Sequence, residues 1–376
     1  MKILLFAVIS LILMGGIFLL IRYIKTKKMK VTLVILNALL LTGSIIALGF
    51  SINQSVIEAR EVIAWSPELN GYYENVHMDN GDVYSGDISM GKLQGKGTLI
   101  YADKSKYKGG FDKNKRSGEG TYTDKTGYIY VGAWAKDKMN GKGKYTFADG
   151  SIYEGEFKNN KQNGQGLYSD ISGWKYAGQW KDNVIHGTGL YTYANGETYN
   201  GDFDSGVKSG TGVYLYKDGS KYDGHWENDN WNGQGLYTSS QGFKYLGEHK
   251  DGQKSGKGKY TFSDGSVYDG EFMADMENGR GKLTSSSGWN YDGQWKNGQR
   301  HGKGKIVYKD TAYYNGDWEM GLKSGQGEHT YFDENNQYIG KYKGAFANDK
   351  RNGKGTLTYG NAFVQSGNWQ DDKFMD

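Results

Sequence analysis

Cysteine is absent from this chain, and proline occurs once. Without thiols there are no disulfides and no thiolate metal sites. The scarcity of proline removes the collagen reading that 59 glycines in 376 residues would otherwise raise. A charge excess of one sign is missing too. Six of the 46 basic residues (Lys2, Arg22, Lys25, Lys27, Lys28 and Lys30) lie in residues 1–50, which hold no acid. The rest of the chain carries 40 basic against 42 acidic side chains. That balance gives no electrostatic footprint for nucleic acid or an anionic membrane surface.

Catalytic patterns are equally scarce. The histidines His77, His186, His225, His249, His301 and His329 show no ligand spacing, so no metal site is expected. Gly-x-Gly recurs, but never as a phosphate loop ending in Lys-Ser/Thr. No serine or threonine sits in a nucleophile motif. Carboxylates at Glu156, Asp202, Glu248, Glu271 and Asp317 fall on a polar face and read as solvated. The expectation is a chain with no catalytic residues, no cofactor and no enzyme activity.

What the sequence does contain is period. Tyrosine recurs every 23 residues from Tyr84 to Tyr314, and the series resumes at Tyr342 after a five-residue insertion. Glycine follows two residues after each. A fixed period of this length marks a repeat array whose units bury their faces against one another. Within the unit Tyr153-Glu-Gly155-Glu-Phe157, aromatic and polar residues alternate with the period of a strand. Gly164, Gly166 and Tyr168 alternate likewise. Lys158 to Asn163, polar and Asn-rich, read as a loop between the two strands. Each unit is then a β-hairpin.

The next turn is legible in more detail. Ala148-Asp149-Gly150 between Phe147 and Ser151 fits a three-residue turn closed by a left-handed glycine. In each of the first ten units one flank of this turn is aromatic, and only one. Tyr101, Phe147, Tyr193, Tyr216, Phe262 and Tyr308 come before the turn; Tyr128, Trp174, Phe243 and Trp289 come after it. This reads as a volume constraint, with Trp174 and Trp289 in the core. Gly155, Gly164 and Gly166 are expected beneath rings, since a ring lies flat across a strand only where no Cβ blocks it.

The predicted fold is therefore mainly β: an elongated single-sheet array of 23-residue β-hairpin repeats over 84–376, about twelve plus a partial one at Gln365 to Trp369. Residues 51–83 read as a linker and a degenerate capping repeat, with Trp65 in the aromatic slot and Gly81 on the turn. Ahead of these, 3–21 and 31–50 are apolar runs of the length a bilayer requires. They flank a short basic segment, Arg22 to Lys30, that favours the cytoplasm. A transmembrane helical hairpin over 1–50 is expected, with the array on the extracytoplasmic side.

Tyr-x-Gly-x-Trp/Phe followed by Gly-x-Gly resembles the membrane occupation and recognition nexus (MORN) repeat. Tyr130-Gly132-Trp134 with Gly141-Gly143, Tyr176-Gly178-Trp180 with Gly187-Gly189, and Tyr291-Gly293-Trp295 with Gly302-Gly304 carry the likeness. The resemblance implies a β-sheet platform for protein or lipid contact, often dimeric. An appended enzyme domain is not among the motifs, and the anchor lies at the amino end. The expected function is a membrane-anchored, non-enzymatic scaffold or binding protein with a protein or envelope partner. Homodimers through the sheet ends are an option. The alternatives are a glycan-binding or glycan-processing protein using an aromatic groove, and a cytoplasmic lipid-surface module. Candidate contact residues are Trp231, read as standing in a loop where earlier units carry Lys115, Lys138 and Lys161, and the series Trp134, Trp180, Trp226, Trp295 and Trp318.

Overall fold

The computed structural model describes residues 69–375, except 310, 361 and 362. The apolar runs 3–21 and 31–50, the basic segment between them, Trp65 and Pro67 lie outside the described residues. No helix among the described residues is long and apolar enough to cross a membrane. These residues form one sheet of 27 strands. Each strand runs antiparallel to its neighbours in sequence, from Gly71–His77 beside Val83–Ser89 to Phe363–Gln370 beside Lys373–Met375.

The fourth unit shows the repeating geometry. Strand Ile152–Lys158 pairs with Lys161–Ser169. The segment 158–163 is therefore not a loop, as its composition suggested. Asn159 and Asn160 both take left-handed φ values, 52° and 68°, the signature of a two-residue hairpin turn whose twist matches that of the strands. Lys158 faces Lys161, and Phe157 faces Gln162. The polar residues belong to the ladder because alternate ones point away from the rings. The three-residue turn is as expected. Phe147 N donates to Ser151 O at 2.8 Å, and Gly150 has φ +94°.

A register shift follows each framework glycine: Gly155 faces Gly166, but Phe157 faces Gln162. Two extra residues are thus accommodated in the second strand. The tyrosine closes this irregularity. Tyr153 is fully buried, and its ring crosses Gly166. Its hydroxyl donates to the carbonyl of Glu156, the residue at the shift, at 3.0 Å. The same bond, from tyrosine to the carbonyl three residues on, occurs in all twelve units from Tyr84 to Tyr342. A buried carbonyl left unpaired costs about 1–3 kcal/mol. Tyr153→Phe, which keeps the ring and removes only this donor, is expected to destabilise its hairpin by about 1–2 kcal/mol. Native-state hydrogen exchange of residues 152–169 measures this.

Gly155 and Gly166 sit against the Tyr153 ring, as expected. Gly164 serves a different purpose. It takes φ +65°, beside the Glu156 side chain. Its glycine is a backbone requirement of the irregular strand rather than a seat for a ring.

The rings form the core as two ladders on one face. In the first, each framework tyrosine from Tyr107 on meets the ring of its own unit and of the next, edge to face; Tyr84, whose own unit carries Ile88, meets Phe111 of the next. Tyr153 lies 5.1 Å from Phe157 and 5.3 Å from Trp180, at 88° and 83°. Such pairs add about 0.5–1.5 kcal/mol each beyond area burial. The second ladder runs along the three-residue turns. There the single flanking ring links neighbouring units, as Trp174 does by stacking on Tyr191 at 5.3 Å and 6°. Trp174 is buried, and Trp289 packs against the core. One ring per turn is what this ladder has room for.

A second set of bonds fixes each unit to the one before. Asn160, in the tight turn, donates its N–H to Met139 O at 3.0 Å and accepts Met139 N at Oδ1, 2.7 Å. The same slot in other units follows a charge rule. Five of the six cations in the Met139 position meet aspartate: Arg116 with Asp137, Lys208 with Asp229, Lys254 with Asp275, Lys323 with Asp349, Arg351 with Asp372. Leu93, Met139 and Gln162 meet asparagine. Ile185, Trp231, Glu277 and Arg300 meet glycine. Aspartate never faces a neutral residue here, and the lone glutamate never faces a carboxylate.

Candidate functional site

The aromatic face is built by residues from three consecutive strands. On it, the residue nine positions after each framework tyrosine lies over the rings. Arg116 sits 4.2 Å above the Trp134 ring, while its guanidinium donates to the Asp137 carbonyl at 2.9 Å. Arg300 over Trp318 and Arg351 over Trp369 repeat the 4.2 Å spacing. Lys208 lies 4.8 Å from the Trp226 ring. Burial pulls Lys208 below the usual lysine range, and Asp229 opposes that. These cations are lids on the ring ladder, favoured by the negative faces of the aromatics.

The predicted tryptophan series lies beneath these lids. Trp134, Trp180, Trp226, Trp295 and Trp318 are 3–8% exposed. Each indole N–H donates to a glycine carbonyl fourteen residues earlier, at 3.0–3.3 Å. Their rings pack at steep angles against neighbouring tyrosines, and Trp134, Trp226 and Trp318 are covered by a cation as well, so they present little surface to a ligand. What remains half-exposed is the second ladder: Tyr191, Tyr193, Tyr237, Phe243, Tyr260 and Phe262.

Trp231 is not in a loop. It belongs to strand Asn230–Thr238 and occupies the lid slot of Arg116, Met139 and Gln162, one residue beyond Lys115, Lys138 and Lys161. Half-buried, it stacks on Tyr222 at 4.3 Å and 6°. The loop reading of 158–163 caused the misplacement. Its neighbour His249 takes the slot that is Phe or Trp in the units on either side. His249 is 3% exposed and meets Tyr222, Trp231 and Tyr245 edge-on at 5.0–5.4 Å. The larger lid and the smaller slot residue offset each other in volume.

Neither ring nitrogen of His249 has a hydrogen-bond partner. Burial lowers its pKa from the ordinary 6.5. The imidazole is therefore neutral in the fold and charges more readily once unfolded. The stability it supports is complete above about pH 6.5 and is lost as pH falls below that toward the folded-state value. His249→Phe, the residue at Phe203 and Phe272, is expected to stabilise this joint by about 1 kcal/mol or more. It is also expected to flatten the pH dependence of melting between pH 7 and 5, as read by circular dichroism.

The other titratable groups are tied to the backbone. Asp202 accepts Thr211 N at 2.8 Å, Asp317 accepts Gln326 N at 2.8 Å, and Glu156, Glu248 and Glu271 make longer versions of the same bond. These carboxylates lie on the solvent side, Glu156 and Glu271 exposed and Asp202, Glu248 and Asp317 partly so, and they also brace the irregular strand. His186 Nδ1 faces Asp204 at 3.4 Å, and His225 Nδ1 faces the Gln234 carbonyl at 3.3 Å. Among the described residues, no three His, Asp or Glu side chains are arranged to hold a metal ion.

A search of solved structures finds several β-structures. The TCP10 domain of Danio rerio CPAP in complex with a peptide of Danio rerio STIL is 12% identical, over 59% of this chain and 93% of that one, with a TM-score of 0.28. The SAS-4 TCP domain of Drosophila melanogaster, in complex with a proline-rich motif of Ana2, is 13% identical over 41% and 85%, with a TM-score of 0.28. A streptogramin B lyase is 10% identical over 76% and 94%, with a TM-score of 0.14. At these scores the likenesses carry no argument. A comparison with curated protein sequences finds no match. The family model described as "MORN repeat" matches twelve times, from 84–106 through 153–175 and 268–289 to 342–361. Period, hairpin geometry and these matches agree: the chain belongs to the MORN-repeat family.

Proposed function

We propose that this protein is a membrane-anchored, non-enzymatic scaffold that offers its β-array to a protein or envelope partner. One observation carries the reading. The groups that catalysis would recruit are already committed to the framework: twelve tyrosine hydroxyls, the indole N–H groups and the bulge carboxylates each hold a backbone atom. The contact surface is the half-exposed ring row together with Trp231. The anchor is the pair of apolar runs 3–21 and 31–50, with the array outside the cytoplasm by the charge of the segment between them.

Two measurements test this. Full-length protein incubated with envelope glycans and lipids is expected to release no product; turnover without a partner would defeat the scaffold reading. Protease treatment of intact cells is expected to remove the array, whereas an array that survives would place it in the cytoplasm. Sugar platforms made of Trp134, Trp180, Trp226, Trp295 and Trp318 are the weaker alternative, because those rings are buried.

A further inference from the structure

The polar face carries one feature that the framework does not require, and it occurs twice. Between the fourth and fifth units lies a cavity of about 640 Å³, lined among others by Asn163, Gln179, Trp180, Lys181 and His186. Five units further on, a cavity of about 270 Å³ is lined by Asn278, Gln294, Trp295, Lys296 and His301. The two sets correspond residue for residue. Histidine stands before a framework glycine at these two places alone, and glutamine occupies the register-shift position only here. At that position six other units carry a carboxylate (Asp87, Glu156, Asp202, Glu248, Glu271 and Asp317) and four carry Gly110, Ala133, His225 and Ala345.

Framework demands do not explain this agreement. Between Lys158–Leu190 and Met273–Lys305, most residues other than glycine and the rings have diverged. Lys161 becomes Met276, Ile185 becomes Arg300, and Leu190 becomes Lys305. Asn, Gln, Lys and His at the cavity have not. Replacing a carboxylate by an amide removes a negative charge where Lys and His are added. In the second cavity no acid lines the wall. Gln294 Oε1 accepts Lys303 N at 2.8 Å, which leaves the amide N–H donors for the cavity. Asn278 Nδ2 is buried without a partner, a donor that a bound oxygen would satisfy. In the first cavity two acids also line the wall: Asp182 is paired with Lys161 at 3.4 Å and Glu156 accepts Gln165 N at 3.4 Å, while His186 faces Asp204 at 3.4 Å, so Lys158 and Lys181 are the cations that remain to act on a ligand.

We infer that these are two equivalent sites for an oxyanion, a carboxylate or phosphate group, each held by Asn, Gln, Lys and His against a tryptophan edge. Ten strands separate them, or roughly 48 Å of sheet. No small molecule spans that distance. A polymer bearing repeated anionic groups occupies both sites at once and gains affinity by linkage, on the order of 100-fold or more. The inference specifies the ligand of the binding protein proposed above. Its failure would leave that reading in place, since the test there is turnover.

The test uses full-length protein with inorganic phosphate, glucuronate, polyphosphate and polygalacturonate, followed by calorimetry and tryptophan fluorescence. Saturable, salt-sensitive binding is expected for one oxyanion class, with the polymer about 100-fold tighter than its monomer. The phosphate and carboxylate arms distinguish the source. Gln179→Glu with Gln294→Glu restores the charge borne by Glu156, Glu248 and Glu271, so the fold tolerates it. This variant is expected to lose saturable binding of polymer and monomer alike with an unchanged circular dichroism spectrum, and either single change to weaken the polymer about 100-fold, to monomer-like affinity. Absence of saturable binding to all four probes, equal affinity for monomer and polymer, or undiminished binding by the double variant would overturn the proposal.

Discussion

Gly166→Ala is expected to destabilise the array by about 3 kcal/mol or more, beyond the usual cost of one added methyl. The backbone at Gly166 is ordinary extended strand, so the cost is purely steric. A Cβ there would lie 2.5 Å from Tyr153 Cζ, inside the ring's own envelope. Tyr153 has no room to yield, being fully buried between Phe157 and Trp180. Gly155→Ala meets Gly166 Cα at 2.5 Å and the Tyr153 hydroxyl at 2.7 Å, and a similar loss is expected. Gly150→Ala should cost only about 1 kcal/mol. Its strain is left-handed φ alone, with Ile171 at an unstrained 3.5 Å. The first unit tolerates Lys104 at the same turn position, with φ 77°. Stability in a repeat array is local, so the measurement is hydrogen exchange by hairpin. Loss of protection in 152–192 for Gly166→Ala, with distant hairpins intact, is the expected result. Equal effects for Gly166 and Gly150 would contradict the crossed-ring account.

Asp137→Ala is expected to cost about 3–5 kcal/mol, because it strands a buried charge. Arg116 and Asp137 are 4% and 8% exposed, and Asp137 Oδ1 holds both the backbone N of Arg116 at 2.8 Å and its Nε at 3.4 Å. The next joint does the same job without charge, through Met139 and Asn160. Arg116→Met with Asp137→Asn copies that joint and is expected to recover most of the loss. A double-mutant cycle by urea unfolding gives the coupling directly. Additive single effects would mean that the pairing rule between units has no energetic content.

The period, the strand alternation, the three-residue turn and the one-ring rule were all legible in the sequence, because each is a local pattern repeated at fixed spacing. The tight turn was not. Asn159-Asn160 sits in a polar stretch whose composition resembles a loop, although Asp251-Gly252 and Asn297-Gly298 at the same place are strong hairpin signals. Missing that turn hid the pairing of lid and turn residue, since Arg116 and Asp137 become neighbours only once 158–163 and its equivalents are strand. It also moved Trp231 one position out of register. The role of Gly164 was invisible for a related reason: a left-handed residue inside a paired strand follows from the register shift, which alternation does not reveal. Burial of the five tryptophans was foreshadowed by the volume rule at the turns but not applied to their own slot. The twin cavities depend on residues three and ten positions past two tyrosines, and no single-unit reading brings those together.

Acetylation of tyrosine hydroxyls by N-acetylimidazole, resolved residue by residue by mass spectrometry on the folded protein, tests the central claim most directly. The crossed-ring framework predicts that Tyr72, Tyr338 and Tyr359, which are 63%, 45% and 41% exposed, react readily. The twelve framework tyrosines, buried and bonded through their hydroxyls, should stay unmodified until the array unfolds. Modification of Tyr153, Tyr176 and Tyr199 at the rate of Tyr72 would contradict it.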